Sequence, residues 1–225
     1  MAQNSKRYRR NRDRVAKDPV PLGDAVESLM QLENAKFDES VEVAIKLGID
    51  PKNTAQTVRG AFSLPNGIGR DVKVIAFAEG DVATEAAEAG AMEVGSGDLA
   101  KRIQDGWLDF DVAVAHPSMM RHVGKLGRVL GPHGKMPSPK SGTVTENVAK
   151  VVGEFKAGKV EFRNDDGGNI NAVVGKKSFS KDKLVENVSA FLDHLRSIKP
   201  AAAKGAFIQR VTLSATMGPG VRVSI

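Results

Sequence analysis

The chain has 225 residues, 41% of them hydrophobic, enough to bury one large core or two small ones. It holds no cysteine, which excludes disulfides, zinc–thiolate sites and thiol catalysis. Net charge is +6, yet residues 1–17 carry all of it: seven Lys/Arg (Lys6, Arg7, Arg9, Arg10, Arg12, Arg14, Lys17) against Asp13. The remaining 26 basic and 26 acidic residues cancel, so a polyanion would be met by placed patches rather than a general field. Aromatic residues make only 5%, with one Trp and one Tyr, too few for a single-strand binder built on base stacking. No apolar run reaches about 18 residues, so no transmembrane helix is expected. No apolar segment follows the basic N-terminus, so a secretory signal is not expected either, and a cytoplasmic protein is.

Residues 1–19 read as a basic flexible arm. Leu22, Val26, Leu29 and Met30 then recur at helical spacing, predicting a helix over 21–34. SVEVAIKL alternates strictly through Val41, Val43, Ile45 and Leu47, and TVRGAFSL repeats the pattern, predicting two strands. Past Asn66-Gly67-Ile68-Gly69 the rhythm changes. DVKVIAFA and DVAVAH are nearly continuous apolar runs, as in strands covered on both faces. Between and after them VATEAAEAG, DLAKRIQDG, a segment through Met119 and Met120, and TENVAKVVGEFKAG read as helices, with MEVG a short strand. Beyond Gly158 the alternating rhythm returns in KVEFRND and NINAVVGK around a DDGG turn. An amphipathic helix, KDKLVENVSAFLDHLRSI, follows, then strands FIQRVTLSAT and VRVSI.

The fold expected is α/β with two domains. A discontinuous α+β domain comes from both chain ends (20–67 and 158–225), and a Rossmann-like parallel α/β domain (68–157) is inserted in it.

The 34 residues from Val112 to Thr145 contain no Asp or Glu. Within them Lys125, Arg128, Lys135 and Lys140 are spaced through glycines and prolines, as a loop suited to phosphate oxygens. Gly153, four residues, then Gly158-Lys159 imitates a phosphate loop, but Val160 lacks the magnesium-binding hydroxyl and a helix precedes it. Gly158 reads as a helix C-cap instead. The four histidines have no partner at metal-ligand spacing. The Asp109/Asp111 pair reads as a polar strand entry. No nucleophile, base and orienting group assemble, so neither catalysis nor a cofactor or metal is expected. The competing reading is an α/β enzyme acting on a phosphorylated substrate in an inter-domain cleft.

KFDESVEVAIKLGIDPKN, TVRGAFSLPNGIGRDVKVIAFA, GWLDFDVAVAHPSMM, KLGRVLGPHGKMPSPKSGTVT, AGKVEFRND and SATMGPG follow one another in order. Over residues 20–225 the chain thereby resembles the bacterial L-one family of large-subunit ribosomal proteins, which form the mobile stalk beside the transfer-RNA exit site. The resemblance implies the two-domain insertion, a monomer when free, and binding to 23S ribosomal RNA mainly through the domain of the terminal halves. It implies as partners the large ribosomal subunit, exit-site transfer RNA, whose release the stalk assists, and the protein's own operon messenger RNA, whose translation it represses. Carried over by motif, the RNA surface would be Glu27, Lys36, Phe37, Ser40, Arg163, Asp165, Ser214, Thr216, Met217 and Gly218. The cations Lys36 and Arg163 would meet phosphates, and Ser214 and Thr216 would bond ribose 2′-OH groups. Lys125, Arg128, Lys135 and Lys140 would be a secondary contact. Ser40 stands where the family usually has Thr, and His133, Lys135 and Ser138 depart from its GP..GLMPNPK pattern. Asp166 and Asn169 make the nearby hairpin more acidic and polar than the family pattern.

Overall fold

The computed structural model describes residues 5–224. The chain divides into two compact units: Met1–Gly69 with Val160–Ile225, and Arg70–Lys159.

The first unit is built on a four-stranded antiparallel sheet, ordered β7-β1-β8-β9: β1 (Ser40–Leu47), β7 (Asn169–Lys176), β8 (Ile208–Ala215) and β9 (Val221–Val223). Alternation decides its faces. Val41, Val43, Ile45 and Leu47 turn inward with Ile170, Ala172, Val174, Val211 and Leu213. Helices α2 (Leu22–Gln31) and α8 (Lys181–Ser197) cover that face through Val26, Leu29, Leu184, Val188, Phe191 and Leu195. The opposite parity of β1 holds Ser40, Glu42, Ala44 and Lys46, and none of these is buried. β2 (Arg59–Ser63) does not join β1; it pairs with β6 (Lys159–Arg163) in a separate two-stranded sheet. There Phe62 and Phe162 close over Phe191 and His194.

The second unit is a parallel sheet ordered β4-β3-β5: β3 (Val74–Phe77), β4 (Glu93–Gly95) and β5 (Val112–Ala115). Strands β3 and β5 are apolar at every position because both faces are covered. Ile75, Phe77, Ala113 and Ala115 pack on α4 (Gly97–Gln104), α5 (Met120–Val123) and α6 (Gly127–Leu130). On the other face α7 (Val148–Ala157) lies on the strands, with α3 (Asp81–Glu88) beside it. This is the Rossmann-like architecture expected from the strand–helix rhythm. Gly158 ends α7 at φ 111°, and its N–H bonds the Phe155 carbonyl, as a C-cap does.

Two expectations are corrected. The N-terminal stretch read as a flexible arm forms α1 (Lys6–Arg14), and Asn11 within it is buried. Its backbone is held because the Asn11 amide bonds both the Glu33 carbonyl and the Glu33 N–H, each at 3.0 Å. The arm's first four residues lie outside the described residues. The acid-free segment, beyond the helix expected through Met119 and Met120, is not a plain loop either. Met119, Val123, Leu126 and Leu130 recur at spacings of three and four, and all are buried as successive helical turns. That apolar anchoring overrides Gly124 and Gly127, which alone would discourage a helix. Among the described residues no helix is long and apolar enough to cross a membrane.

Candidate nucleic-acid interface

The geometry converges on one end of β1. Ser40 N–H donates to Thr216 Oγ1 at 3.0 Å, and Thr216 N–H returns a bond to the Ser40 carbonyl at 3.0 Å. The Thr216 hydroxyl can also donate to that carbonyl, at 3.3 Å. These bonds extend the β1–β8 ladder beyond Val41 and Ala215, so the chain turns sharply at Met217 and Gly218. Across the other edge of β1, Lys176 Nζ donates to Ser40 Oγ at 2.9 Å.

Beneath them lies Glu39, only 2% exposed. One carboxylate oxygen accepts the Ala35 N–H at 2.5 Å, and the other accepts the Met217 N–H at 3.3 Å. Arg7 reaches the same carboxylate at 3.6 Å and donates to the Met217 carbonyl at 3.4 Å. A buried carboxylate is stable only when paired in this way. Glu39 thus clamps the Ala35–Asp38 loop to the Met217 turn. Lys177 completes the base of the loop: it is 8% exposed and donates to the Leu32 carbonyl at 2.7 Å. Burial pushes its ammonium pKa down, against the pull of Glu39. Asp38 accepts from the Ser178 N–H and hydroxyl, fixing the outer side of the loop.

This scaffold holds two large apolar side chains in water: Phe37 is 54% exposed and Met217 53%. Among the described residues only Met92 joins them as an exposed large hydrophobic. A shallow groove runs beside Phe37, lined by Asn34, Lys36, Asp38, Lys177 and Ser178 among others.

The remaining sequence-predicted residues divide. Lys36 is exposed within the clamped loop. Ser214 is half-buried opposite Glu42 on the uncovered sheet face. Glu27 is exposed on α2 but already paired with Lys181 at 2.5 Å, and that partner holds its carboxyl below the usual range. Arg163 and Asp165 are elsewhere. Their hairpin leads to Asn169, which pairs with Lys46, six residues along β1 from Ser40 and therefore about 20 Å away. Asp165 is also committed to its own turn. It accepts the Gly167 N–H at 2.8 Å and the Asn169 N–H at 2.7 Å, and Asn169 holds its carboxyl low.

In the second unit Lys125, Arg128 and Lys140 are exposed. Lys135 is not a free cation. Its ammonium donates to the carbonyls of Leu108 and Phe110 and sits 5.0 Å from the Phe110 ring centre.

Sequence reasoning picked out the turn Lys36–Ser40 but gave Glu39 no role, and it missed Arg7, Lys176 and Lys177 as parts of the site. One signal for Glu39 was legible: it lies on the core-facing parity of β1, two residues before Val41. A carboxylate at such a position must have buried partners.

Residues 29–219 match the profile of the Ribosomal protein L1p/L10e family. Large ribosomal subunit protein uL1 of Rhodopirellula baltica is 55% identical over 224 residues, covering 100% of both chains. The same protein of Kosmotoga olearia is 51% identical, covering 99% of this chain and 97% of its own. That of Corynebacterium glutamicum is 49% identical, covering 99% and 95%. These are ribosomal proteins rather than enzymes, so the cleft-enzyme alternative falls. The chain belongs to the Ribosomal protein L1p/L10e family.

Proposed function

We propose that the chain is a component of the large ribosomal subunit, working in the cytoplasm, and that it binds 23S ribosomal RNA chiefly through its first unit. The carrying observation is the clamp: buried Glu39 and the Ser40–Thr216 exchange hold Phe37 and Met217 out in solvent, with exposed Lys36 next to Phe37 and Lys176 tied to Ser40. Lys36 meets phosphate there, hydroxyls at Ser40, Ser214 and Thr216 face ribose 2′-OH groups, and Phe37 and Met217 take sugar or base. Preorganisation matters because a loop that is already ordered loses little entropy on binding. Glu27 acts as an acceptor alongside its Lys181 partner. Arg163 is a separate phosphate contact at the other end of the sheet, and Asp165 holds the hairpin that presents it. Lys125, Arg128 and Lys140 form a weaker electrostatic contact on the second unit.

From this position the protein serves as the mobile stalk that assists release of deacylated transfer RNA from the exit site. The same surface binds its own operon messenger RNA and represses translation, since one preorganised site accepts either RNA of matching shape. The test is filter binding of the purified protein to fragments of ribosomal RNA at two salt concentrations, with DNA duplex as competitor. Retention of one 23S fragment that survives salt and DNA is the expected result. Unselective retention that vanishes with salt would overturn the proposal.

A further inference from the structure

We infer that α1 and the turn between β8 and β9 form a phosphate-binding groove that extends the RNA surface, an inference that rests on the RNA-binding reading above. The basic N-terminus divides its arginines between two faces of one helix. Arg7, Arg10, Asn11 and Arg14, spaced i, i+3, i+4 and i+7, face the protein. Arg10 and Arg14 reach the Glu33 carboxylate at 3.0 and 3.9 Å, and Arg7 reaches Glu39 and the Met217 carbonyl. These contacts dock α1 against the clamp.

The adjoining face is different. Tyr8, Arg9 and Arg12 open into a groove of about 950 Å³ whose other walls include Lys17, Pro219, Gly220 and Arg222. Arg9, Arg12, Lys17 and Arg222 give it four cations against a single carboxylate, Asp13. A concave site with an excess of positive charge focuses its field on a passing polyanion. Gly220 lets this wall pack tightly on β8, since an added Cβ would lie 2.8 Å from the Thr212 methyl. Pro219 and Gly220 directly follow Thr216–Gly218, so a strand leaving the Met217 turn enters the groove within one or two nucleotides. The occupant is a single-stranded stretch of RNA backbone, tracked through its phosphates, with Tyr8 offering one ring face to a sugar or base.

The test uses the full chain, its Arg12→Ala/Arg222→Ala variant, the 23S fragment that the parent retains best, and a DNA duplex. Unchanged circular dichroism is the control for folding. The expected result is a loss of about tenfold in affinity at moderate salt. The slope of log K against log salt becomes shallower by about 1.4–1.8, the value for two lost phosphate contacts, while the preference for RNA over DNA persists. A selective parent whose variant keeps both slope and affinity overturns the groove alone. A parent that retains no fragment selectively overturns the RNA-binding reading and the groove with it.

Discussion

Ser40 and Thr216, 176 residues apart in the chain, exchange backbone and side-chain hydrogen bonds at 3.0 Å and so tie the start of β1 to the turn after β8. That juncture and the Glu39 carboxylate below it fix the positions of Phe37 and Met217.

Glu39→Ala is expected to cost about 2–3 kcal/mol of stability, because the Ala35 and Met217 N–H groups lose their acceptor and Arg7 its partner. RNA affinity falls with it. Urea denaturation and filter binding measure the two effects. An unchanged midpoint together with unchanged affinity would remove Glu39 from its role as the clamp.

The cations of the second unit separate into two kinds. Lys125→Ala with Arg128→Ala should leave stability unchanged, weaken RNA binding only slightly and make its salt dependence shallower. Lys135→Ala should do the reverse. Losing its bonds to the Leu108 and Phe110 carbonyls costs about 1–2 kcal/mol, with little change in the salt slope. Thermal unfolding and salt titration of both variants distinguish these outcomes.

His194 stacks on Phe62 with ring centres 4.6 Å apart, and burial pushes its pKa below the ordinary histidine value. The unfolded chain therefore binds the proton more readily than the native one. Stability should rise with pH from below the depressed native pKa up through the ordinary histidine range near 6.5, then level off. His194→Phe should flatten that rise. Urea midpoints from pH 5 to 8 test it, and an equally steep rise in the variant would assign the effect to another group.

Gly158→Ala should destabilise by about 1–2 kcal/mol, because the residue sits at φ 111° where a Cβ is strained. An unchanged denaturation midpoint would contradict the C-cap assignment.

The architecture was largely legible. Period-two alternation marked β1 and β7, and unbroken apolar runs marked β3 and β5, since pattern reports how many faces of a strand are covered. The pairing of β2 with β6 rather than β1 was not legible, because two alternating strands look alike whichever partner they take. The helix at Lys6–Arg14 was hidden by composition. Nine residues with five arginines read as a solvated tail until Glu33 and Glu39 supply partners from elsewhere in the chain. At the site, motif resemblance pointed to Ser40, Thr216, Met217 and Phe37, which the fold gathers. It also pointed to Arg163 and Asp165, which the register puts at the far end of the sheet. Motifs name residues, while hydrogen-bond commitments such as those of Lys135 and Asp165 are visible only in three dimensions.

The most direct measurement is the RNA affinity of Thr216→Val, with its fold checked by circular dichroism. Valine keeps the shape but removes the oxygen that accepts the Ser40 N–H. A loss of tenfold or more, about 1.4 kcal/mol, with Lys125→Ala/Arg128→Ala affected less, is the predicted result. Affinity equal to the parent in a folded variant, or a larger loss in the Lys125/Arg128 variant, would contradict the assignment of RNA recognition to the first unit.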